Sequence, residues 1–201
     1  RSFQMLRALE RHIPRISSVS GEPEAAVRAR YERLRECQTL DQLLAVAGVQ
    51  YRAPQDASNI EILPAGSLDM VFSNSVFEHV RPPVIPKLLR ESWRLLKSHG
   101  IIVHAVACND HYAYFDKRIS YVNYLQFTDQ QWRLWNCSLN YQNRLRAPDF
   151  IRMATDAGFR ILHEKRAVLP GSREALETFQ LAPQFAHYSK EDLAATTVDF
   201  V

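Results

Sequence analysis

One stretch of the chain, residues 63–80, joins a loop, a short apolar run and a cluster of polar side chains. It constrains the fold more than any other stretch. Residues 70–72 are apolar and bounded by turn-forming residues, a pattern that predicts a central parallel strand covered on both faces. The polar residues 73–75 then mark the expected end of that strand.

The following segment predicts a helix and a second strand. Pro82 and Pro83 start a helix whose apolar residues fall on one stripe, and Gly100 is expected to close it at the C′ position. Residues 101–108 form the next apolar run and predict a second buried strand. Strand, helix and strand within about 40 residues make a right-handed crossover, so the two strands should lie parallel in an α/β fold.

The rest of the chain adds helices around this unit. The opening third reads as helical, with Ser20 as a capping candidate for a helix over 22–37 and Thr39 as the cap of a helix ended by Gly48. Thr128 or Asp129 should cap a short helix in the middle of the chain. Strands are predicted at 49–52, 159–168 and 196–201, and further helices at 147–157 and 171–180.

The length, charge and cysteine content of the chain narrow the classes of protein to which it can belong. With 201 residues, 46% of them apolar, the chain can bury a core and is expected to form one domain, 1–201. A net charge of +3, dispersed along helix faces, does not indicate a nucleic-acid surface, and no apolar run is long enough to span a membrane. Cys37, Cys108 and Cys137 form no C-x-x-C pair, which favours a reducing, cytoplasmic location.

Polar clusters follow three of the predicted strands. Residues 55–58, 73–75 and 109–112 each come directly after a strand. In an open parallel sheet, ligands bind outside the carboxyl ends of the strands. We therefore expect the three clusters to converge on one crevice.

The same segments carry a family resemblance. An acidic residue followed by a small one, Asp56-Ala57, precedes the run over 63–80, and a helix ending in Arg94-Leu95-Leu96-Lys97 follows it. In this order and spacing, the motifs resemble those of class I S-adenosylmethionine-dependent methyltransferases, over roughly residues 51–168. The resemblance implies a Rossmann-like, three-layer α/β fold, with a mostly parallel sheet and a C-terminal antiparallel strand.

The resemblance also implies a cofactor and its contacts. The cofactor would be S-adenosylmethionine. Asp56 would accept a hydrogen bond from the adenine amino group, and the Ala57 amide would meet a ring nitrogen. Asn74 and Ser75 would face the sulfonium or the acceptor. The alternatives are an Asx-type loop role for Asp56 and ordinary strand-end hydrogen bonds for Asn74 and Ser75.

Acceptor chemistry is expected after the second strand. His111 is the candidate general base, oriented by Asp110 or Asp116, within a segment over 109–146 that would cover the acceptor site. His111 has two alternatives, half of a metal site or an ordinary loop histidine, and no metal is assigned. For Glu78 and His79, a structural or capping role is favoured over the alternative, a direct part in the chemistry. Aromatic and basic residues could form the cover or belong to the core: Tyr121, Tyr124, Trp132, Trp135, Tyr141, Arg144 and Arg146.

One expected motif is missing. The six glycines of the chain contain no G-x-G, the loop that lets the backbone approach the cofactor in this class. We expect the first strands and this glycine-rich loop to lie upstream, so the fold would be N-terminally truncated. Residues 1–201 alone would then bind S-adenosylmethionine weakly or not at all.

Three functions compete at this point. The first is a methyltransferase acting on a small-molecule or saccharide-like acceptor, at oxygen if His111 is a base. The second is a non-catalytic scaffold or partner subunit with the same fold. The third, a nucleotide-dependent reductase, is disfavoured by the Glu78-His79 pattern and the terminal hairpin. Sequence alone leaves the oligomeric state open.

Overall fold

The computed structural model describes the backbone of residues 2–201 and the side chains of residues 6–201. The chain divides into two compact units, Arg1–Gln55 and Asp56–Val201, which are treated one at a time. The prediction of a single domain stays a prediction. None of the helices described within residues 2–201 is long and apolar enough to cross a membrane.

The N-terminal unit is helical, as the sequence predicts. Its small core consists of Leu6, Ile13 and Tyr31, and Val27, Leu34 and Leu43 pack against these residues. Within residues 2–55, the α-helices are α1 (Ser2–Leu9), α2 (Ile13–Ser20), α3 (Glu24–Arg35) and α4 (Leu40–Ala47).

Helix ends in this unit test the capping predictions. Thr39 caps α4, because its side chain accepts from the Gln42 backbone N–H while the Gln42 side chain accepts from the cap backbone. Gly48 ends α4 at φ 69°, a left-handed conformation that favours glycine. The prediction for Ser20 is wrong: it is the last residue of α2, and Pro23 precedes α3.

The C-terminal unit is a mixed α/β structure around a four-stranded open sheet. Strand order is β1-β2-β4-β3. β1 and β2 pair in parallel, while β4 is antiparallel to both β2 and β3. Three strands therefore share one direction and the C-terminal strand opposes them, which confirms the predicted sheet. The strands are β1 (Leu68–Asn74), β2 (Leu96–Ala107), β3 (Glu164–Ala167) and β4 (Thr197–Phe200).

The helices of this unit connect the strands. Helix α5 makes the crossover between β1 and β2, as predicted, and it packs with α7. Thr128 caps α6 through the Gln131 backbone N–H. The bounds are α5 (Ile85–Leu95), α6 (Asp129–Trp132), α7 (Ala147–Asp156), α8 (Ser172–Leu176) and α9 (Lys190–Ala194).

Two apolar clusters hold the C-terminal unit together. The first lies between the sheet and helices α5 and α7, and it contains Ile85, Leu89, Ile102, Phe150 and Phe200. The second is built from segments that follow β2 and contains Val122, Tyr124, Leu125, Trp132, Ala182, Phe185 and Leu193. The first cluster fixes the strands, and the second fixes the loops that leave their carboxyl ends.

Several predictions for the strands are wrong. Residues 49–52 form no strand. β1 is an edge strand rather than a central one, and Phe72 is 75% exposed. Gly100 does not end a helix, because α5 runs directly into β2 at Leu96. Gly100 lies instead in an irregular part of β2, where a Cβ atom would sit 2.8 Å from Leu96 Cδ2.

Candidate functional site

Two short 3₁₀ turns meet at the carboxyl ends of the parallel strands. The turn Phe77–His79 follows β1, and the turn His111–Tyr114 follows β2. Together they bring three ionisable side chains into one group, Glu78, His79 and His111, whose ligand-type atoms all lie within 4.8 Å of one another. We call this group the Glu-His-His cluster.

The first turn is clamped by Asn143. The Asn143 side chain donates to the carbonyl oxygens of Phe77, at 2.6 Å, and Val80, at 2.8 Å. The Asn143 backbone N–H donates to the Glu78 carbonyl at 2.7 Å. Three hydrogen bonds from one residue therefore fix the backbone that presents Glu78 and His79.

The second turn is held by Asp110 and Gln142. The Asp110 carboxylate accepts from the Tyr112 backbone N–H at 2.9 Å and from the Asn123 side chain at 3.2 Å. Gln142 accepts from the His111 backbone N–H at 3.2 Å. Asp110 therefore acts as the cap of the turn that carries His111.

Glu78 is a buried carboxyl group. It is 1% exposed, and neither of its oxygens has a hydrogen-bond partner of normal geometry. Burial raises the pKa of Glu78, and the nearby backbone N–H groups of Glu78 and Ala107, together with His79, lower it by less. Because a desolvated carboxylate is costly, this group favours a proton or a nearby cation.

His111 is also buried, with an unpartnered Nε2 atom. Its exposed fraction is 7%. Burial, with a smaller contribution from the charge of His79, lowers the pKa of His111 to about 4. The imidazole is therefore neutral at pH 7, and one of its ring nitrogens carries a free lone pair.

His79 completes the cluster from the exposed side. Its Nδ1 atom lies 2.8 Å from the Tyr141 carbonyl oxygen, and its ring centre lies 5.1 Å from that of His111. A carbonyl oxygen only accepts, so Nδ1 carries the proton in this hydrogen bond. In the neutral ring, Nε2 then has the free lone pair.

The residues predicted to hold the cofactor remain predictions. Asn74 and Ser75 are exposed at the end of β1, next to the first turn. Ser75 adopts φ 53°, a left-handed conformation that non-glycine residues rarely take. Asp56 and Ala57 lie in an exposed loop, where the Asp56 carboxylate accepts from the Ser58 backbone N–H at 2.8 Å and the Ser58 hydroxyl at 2.7 Å.

One predicted pairing is wrong. Asp110 does not orient the His111 ring, since its carboxylate bonds to Tyr112 and Asn123. Asp116 pairs instead with the exposed Arg118, with 2.8 Å between Asp116 Oδ2 and Arg118 Nη2. The hydrogen bonds from Arg118 lower the pKa of Asp116 to about 2. Catalytic roles for His111 and Asp110 stay predictions, with Asp110 acting on the backbone rather than on the ring.

Several of the aromatic and basic side chains predicted near the site belong to the protein interior. Tyr124 and Trp132 are buried in the second apolar cluster. Arg146 is fully buried and donates to the Cys108 carbonyl and the Tyr124 hydroxyl, each at 2.7 Å. Arg144 is 8% exposed and pairs with Asp129. The core alternative therefore applies to these four residues.

A cleft of about 320 Å³ is lined by residues that support the cluster, although Glu78, His79 and His111 are not among its lining residues. Two of its lining residues also hold the cluster in place, Tyr141 through its carbonyl and Gln142 through its side chain. Arg144, Trp132 and Tyr188 contribute further aromatic and polar surface. An open space lined in this way suits a polar organic molecule.

Sequence reasoning singled out His111 but missed the set of three. It assigned Glu78 and His79 a structural role and named no metal. The available signal was the Glu-His pair after one strand and a histidine after the next parallel strand, since the carboxyl ends of adjacent parallel strands meet. No local pattern shows that the three side chains meet, or that Glu78 and His111 are buried.

A match to a known protein family agrees with this architecture. The family, described as a methyltransferase domain, matches residues 4–104, half of the 201-residue chain. No curated protein matches the sequence.

The solved structures that are similar to the chain share little sequence identity with it. The geranyl diphosphate C-methyltransferase of Streptomyces coelicolor A3(2) is 15% identical, with a TM-score of 0.45, covering 80% of this chain and 58% of that one. A SAM-dependent methyltransferase from Archaeoglobus fulgidus is 13% identical, with a TM-score of 0.45, covering 81% and 71%. Phosphoethanolamine N-methyltransferase 2 of Haemonchus contortus is 14% identical, with a TM-score of 0.40, covering 72% and 35%. The chain thus spans less than two thirds of the first and third of these proteins.

An open α/β sheet with a polar cluster at its strand ends defines the class as a Rossmann-like α/β protein. The chain belongs to the methyltransferase-domain family. The family match confirms the resemblance predicted from the sequence. S-adenosylmethionine is the cofactor of this family, so the predicted cofactor is confirmed as well.

Proposed function

We propose that this chain forms the acceptor side of a methyltransferase that transfers a methyl group from S-adenosylmethionine to a hydroxyl oxygen of a small-molecule or saccharide-like acceptor. The observation that supports the proposal is the Glu-His-His cluster at the carboxyl ends of β1 and β2. A parallel α/β sheet binds its ligands at this edge. Family membership supplies the reaction class.

Oxygen is proposed as the acceptor atom because the cluster can handle a proton. The methyl carbon of a sulfonium is already activated, so an enzyme chiefly aligns donor and acceptor. A hydroxyl acceptor must also lose its proton, which calls for a base or another means of lowering its pKa. Glu78, His79 and His111 offer a carboxylate and two imidazoles for that task.

His111 alone is a weak base. Burial holds its pKa at about 4, so the ring is neutral at pH 7 but has little affinity for a proton. Activation of the hydroxyl therefore requires the cluster as a unit rather than His111 by itself. Asp110 supports the unit by capping the turn that carries His111.

The donor is proposed to bind on the β1 side of the cluster. Asn74 and Ser75 are exposed there, four and three residues before Glu78, and they are our candidates for contact with the methionine end. Asp56 and Ala57 remain the candidates for adenine, in an exposed loop that leaves both accessible. The acceptor would occupy the cleft lined by Asn136, Tyr141 and Gln184, since amide and aromatic side chains suit a polyhydroxylated molecule.

A reducing, cytoplasmic location fits the thiols. Cys37, Cys108 and Cys137 are all free, and Cys137 is exposed. An exposed free thiol persists best where disulfides do not form.

The proposal is tested by methyl transfer from labelled S-adenosylmethionine to a panel of acceptors that present a hydroxyl, an amine or an activated carbon. Residues 1–201 and the full reading frame that encodes them are assayed in parallel. We expect label on hydroxyl acceptors, with His79→Gln reducing transfer and His163→Gln, an exposed control, leaving it unchanged. Adenosylhomocysteine binding without transfer to any acceptor would contradict catalysis and favour the scaffold.

A further inference from the structure

The Glu-His-His cluster concentrates buried polar atoms that have no hydrogen-bond partner of normal geometry, and such groups in a folded interior call for an explanation. Both oxygens of Glu78 and Nε2 of His111 are buried without a hydrogen-bond partner of normal geometry. Glu78 is 1% exposed and His111 is 7% exposed. Their ligand atoms and that of His79 lie within 4.8 Å of one another. These atoms therefore lie close enough together to share one ligand.

We infer that Glu78, His79 and His111 bind one divalent transition-metal ion, for which Zn²⁺ is the best-fitting example. The inference deepens the proposed function by giving the cluster a means of activating the acceptor, and in that role it rests on the proposed function. Metal binding itself does not depend on methyl transfer and is measured separately.

The donor set selects the class of ion. Two imidazoles and one carboxylate are typical ligands of catalytic zinc, where three protein ligands leave a position open. Imidazole also suits iron, copper and nickel, whereas magnesium and calcium prefer oxygen ligands. A site with two nitrogen ligands out of three therefore favours a transition-metal ion over Mg²⁺.

His79 is oriented as a metal ligand. Its Nδ1–H donates to the Tyr141 carbonyl at 2.8 Å, so the lone pair of the neutral ring is on Nε2. Histidines that bind metals commonly donate their other ring N–H to a carbonyl or carboxylate, which fixes both the tautomer and the ring orientation. The three hydrogen bonds from Asn143 hold the backbone of the same turn.

A bound cation would also remove the cost of burying Glu78. Among residues 6–201, the ion pairs include none in which a lysine or arginine partners Glu78. A buried carboxylate without a cation is costly, and it is usually paired or bound to a metal. The cluster offers two neutral-ring lone pairs beside that carboxylate, so the three side chains together supply what one metal ion needs.

Binding requires a small contraction of the site. Tetrahedral zinc at bond lengths of about 2.0–2.1 Å sets its ligand atoms roughly 3.3 Å apart. The atoms of the cluster lie within 4.8 Å of one another, so the widest pair would close by at most roughly 1.5 Å. His79 is exposed and His111 lies in a short turn, so small shifts of these two side chains, with the hydrogen bond from His79 to the Tyr141 carbonyl kept, would provide the movement.

The open position would then take the acceptor hydroxyl. A metal ion lowers the pKa of a bound hydroxyl, so its proton leaves to solvent near neutral pH. The oxygen forms a bond to the methyl carbon while the carbon–sulfur bond breaks, and its electron pair converts the sulfonium to the thioether of adenosylhomocysteine. With its lone pair on the metal, His111 acts as a ligand and no longer as a base.

The test measures metal binding by the full chain after removal of metals with a chelator. Calorimetric titration with Zn²⁺ should give one site per chain, and Co²⁺ should give the visible absorption of a nitrogen–oxygen site. Glu78→Gln and His79→Gln should each weaken binding on the order of 100-fold or more. Because His79 is exposed, His79→Gln keeps the fold, and circular dichroism verifies that.

Two matched controls separate this site from adventitious binding. His163→Gln removes an exposed histidine elsewhere, and Cys137→Ser removes an exposed thiol. Both should bind Zn²⁺ as the unmodified chain does. Equal binding by His79→Gln, loss of binding in Cys137→Ser, or binding of Mg²⁺ in preference to Zn²⁺ would overturn the inference.

Activity assays then separate the two proposals. Zinc binding lost in Glu78→Gln, in a chain that methylates no hydroxyl, supports the metal site and contradicts the proposed function. Methyl transfer that continues undiminished after chelation supports the function and overturns the role given to the metal.

Discussion

His104 makes the stability of the C-terminal unit depend on pH. Its ring is 2% exposed and lies between Phe77, with ring centres 4.4 Å apart, and Phe200, with ring centres 5.3 Å apart. Ser73 Oγ lies 2.7 Å from His104 Nδ1, and Nε2 has no partner. Burial lowers the pKa of His104 from 6.5 to about 4. Protonation would place an unpaired cation in the core.

The sign of the effect follows from linkage. Above pH 6.5 the ring is neutral in both the folded and the unfolded chain, so it does not affect stability. Between pH 6.5 and about 4, the unfolded chain binds a proton and the folded chain does not, so stability falls as pH falls. At about 1.4 kcal/mol per pH unit, the loss is about 2 kcal/mol at pH 5 and about 3 kcal/mol in full.

Urea unfolding followed by tryptophan fluorescence measures this loss. All three tryptophans, Trp93, Trp132 and Trp135, lie in Asp56–Val201, so the signal reports on the C-terminal unit. In metal-free buffer, His104→Gln should lose about 2 kcal/mol less than the unmodified chain between pH 7.5 and pH 5. His163→Gln, which removes an exposed histidine, should behave as the unmodified chain does. An unchanged pH dependence in His104→Gln would refute the reasoning.

Two further substitutions test other parts of the fold. Arg146→Met should lower the free energy of unfolding by about 3–5 kcal/mol, because the buried guanidinium donates to the carbonyls of Cys108 and Leu193; a loss below about 1 kcal/mol in urea unfolding would contradict this. Ser75→Gly should raise the free energy of unfolding by about 1 kcal/mol, because glycine takes the φ of 53° without strain; a melting temperature that falls would contradict this.

The sequence predicted best those features that depend on interactions between residues close together in the chain. Thr39 was expected to cap a helix and Thr128 was one of two candidates for another cap, and each side chain accepts from a backbone N–H three residues later. Such a cap needs only a few residues of chain. The crossover from β1 to β2 was also predictable, because a strand, a helix and a strand that follow one another closely in the chain almost always form a right-handed connection between parallel strands.

Strand predictions failed where pairing decides the outcome. Residues 49–52 are β-prone, yet they form no strand, and only residues 164–167 of the predicted strand over 159–168 do so. A strand exists only where another strand supplies its hydrogen bonds, and local propensity does not report that partner. The same reason explains why β1 was wrongly predicted to be a central strand. Its apolar residues are typical of a central strand, but β1 lies at the edge of the sheet and Phe72 is exposed.

The location of the candidate site could be predicted from the sequence, but the set of side chains that form it could not. The rule that ligands bind at the carboxyl ends of parallel strands led to His111 and to Asn74 and Ser75. It did not show that Asp110 bonds to backbone and side-chain donors instead of the His111 ring. It also did not show that Glu78 is buried without a partner, which depends on packing around the turn.

The most direct test of the proposed function is the fate of a ¹³C-labelled methyl group. S-adenosylmethionine labelled in its methyl group is incubated with the acceptor panel, and the product is examined by NMR. The account predicts an O–¹³CH₃ signal with the unmodified chain or its full reading frame, and its loss in Glu78→Gln. Label on nitrogen or carbon, or an O–¹³CH₃ signal undiminished in Glu78→Gln, would contradict the account.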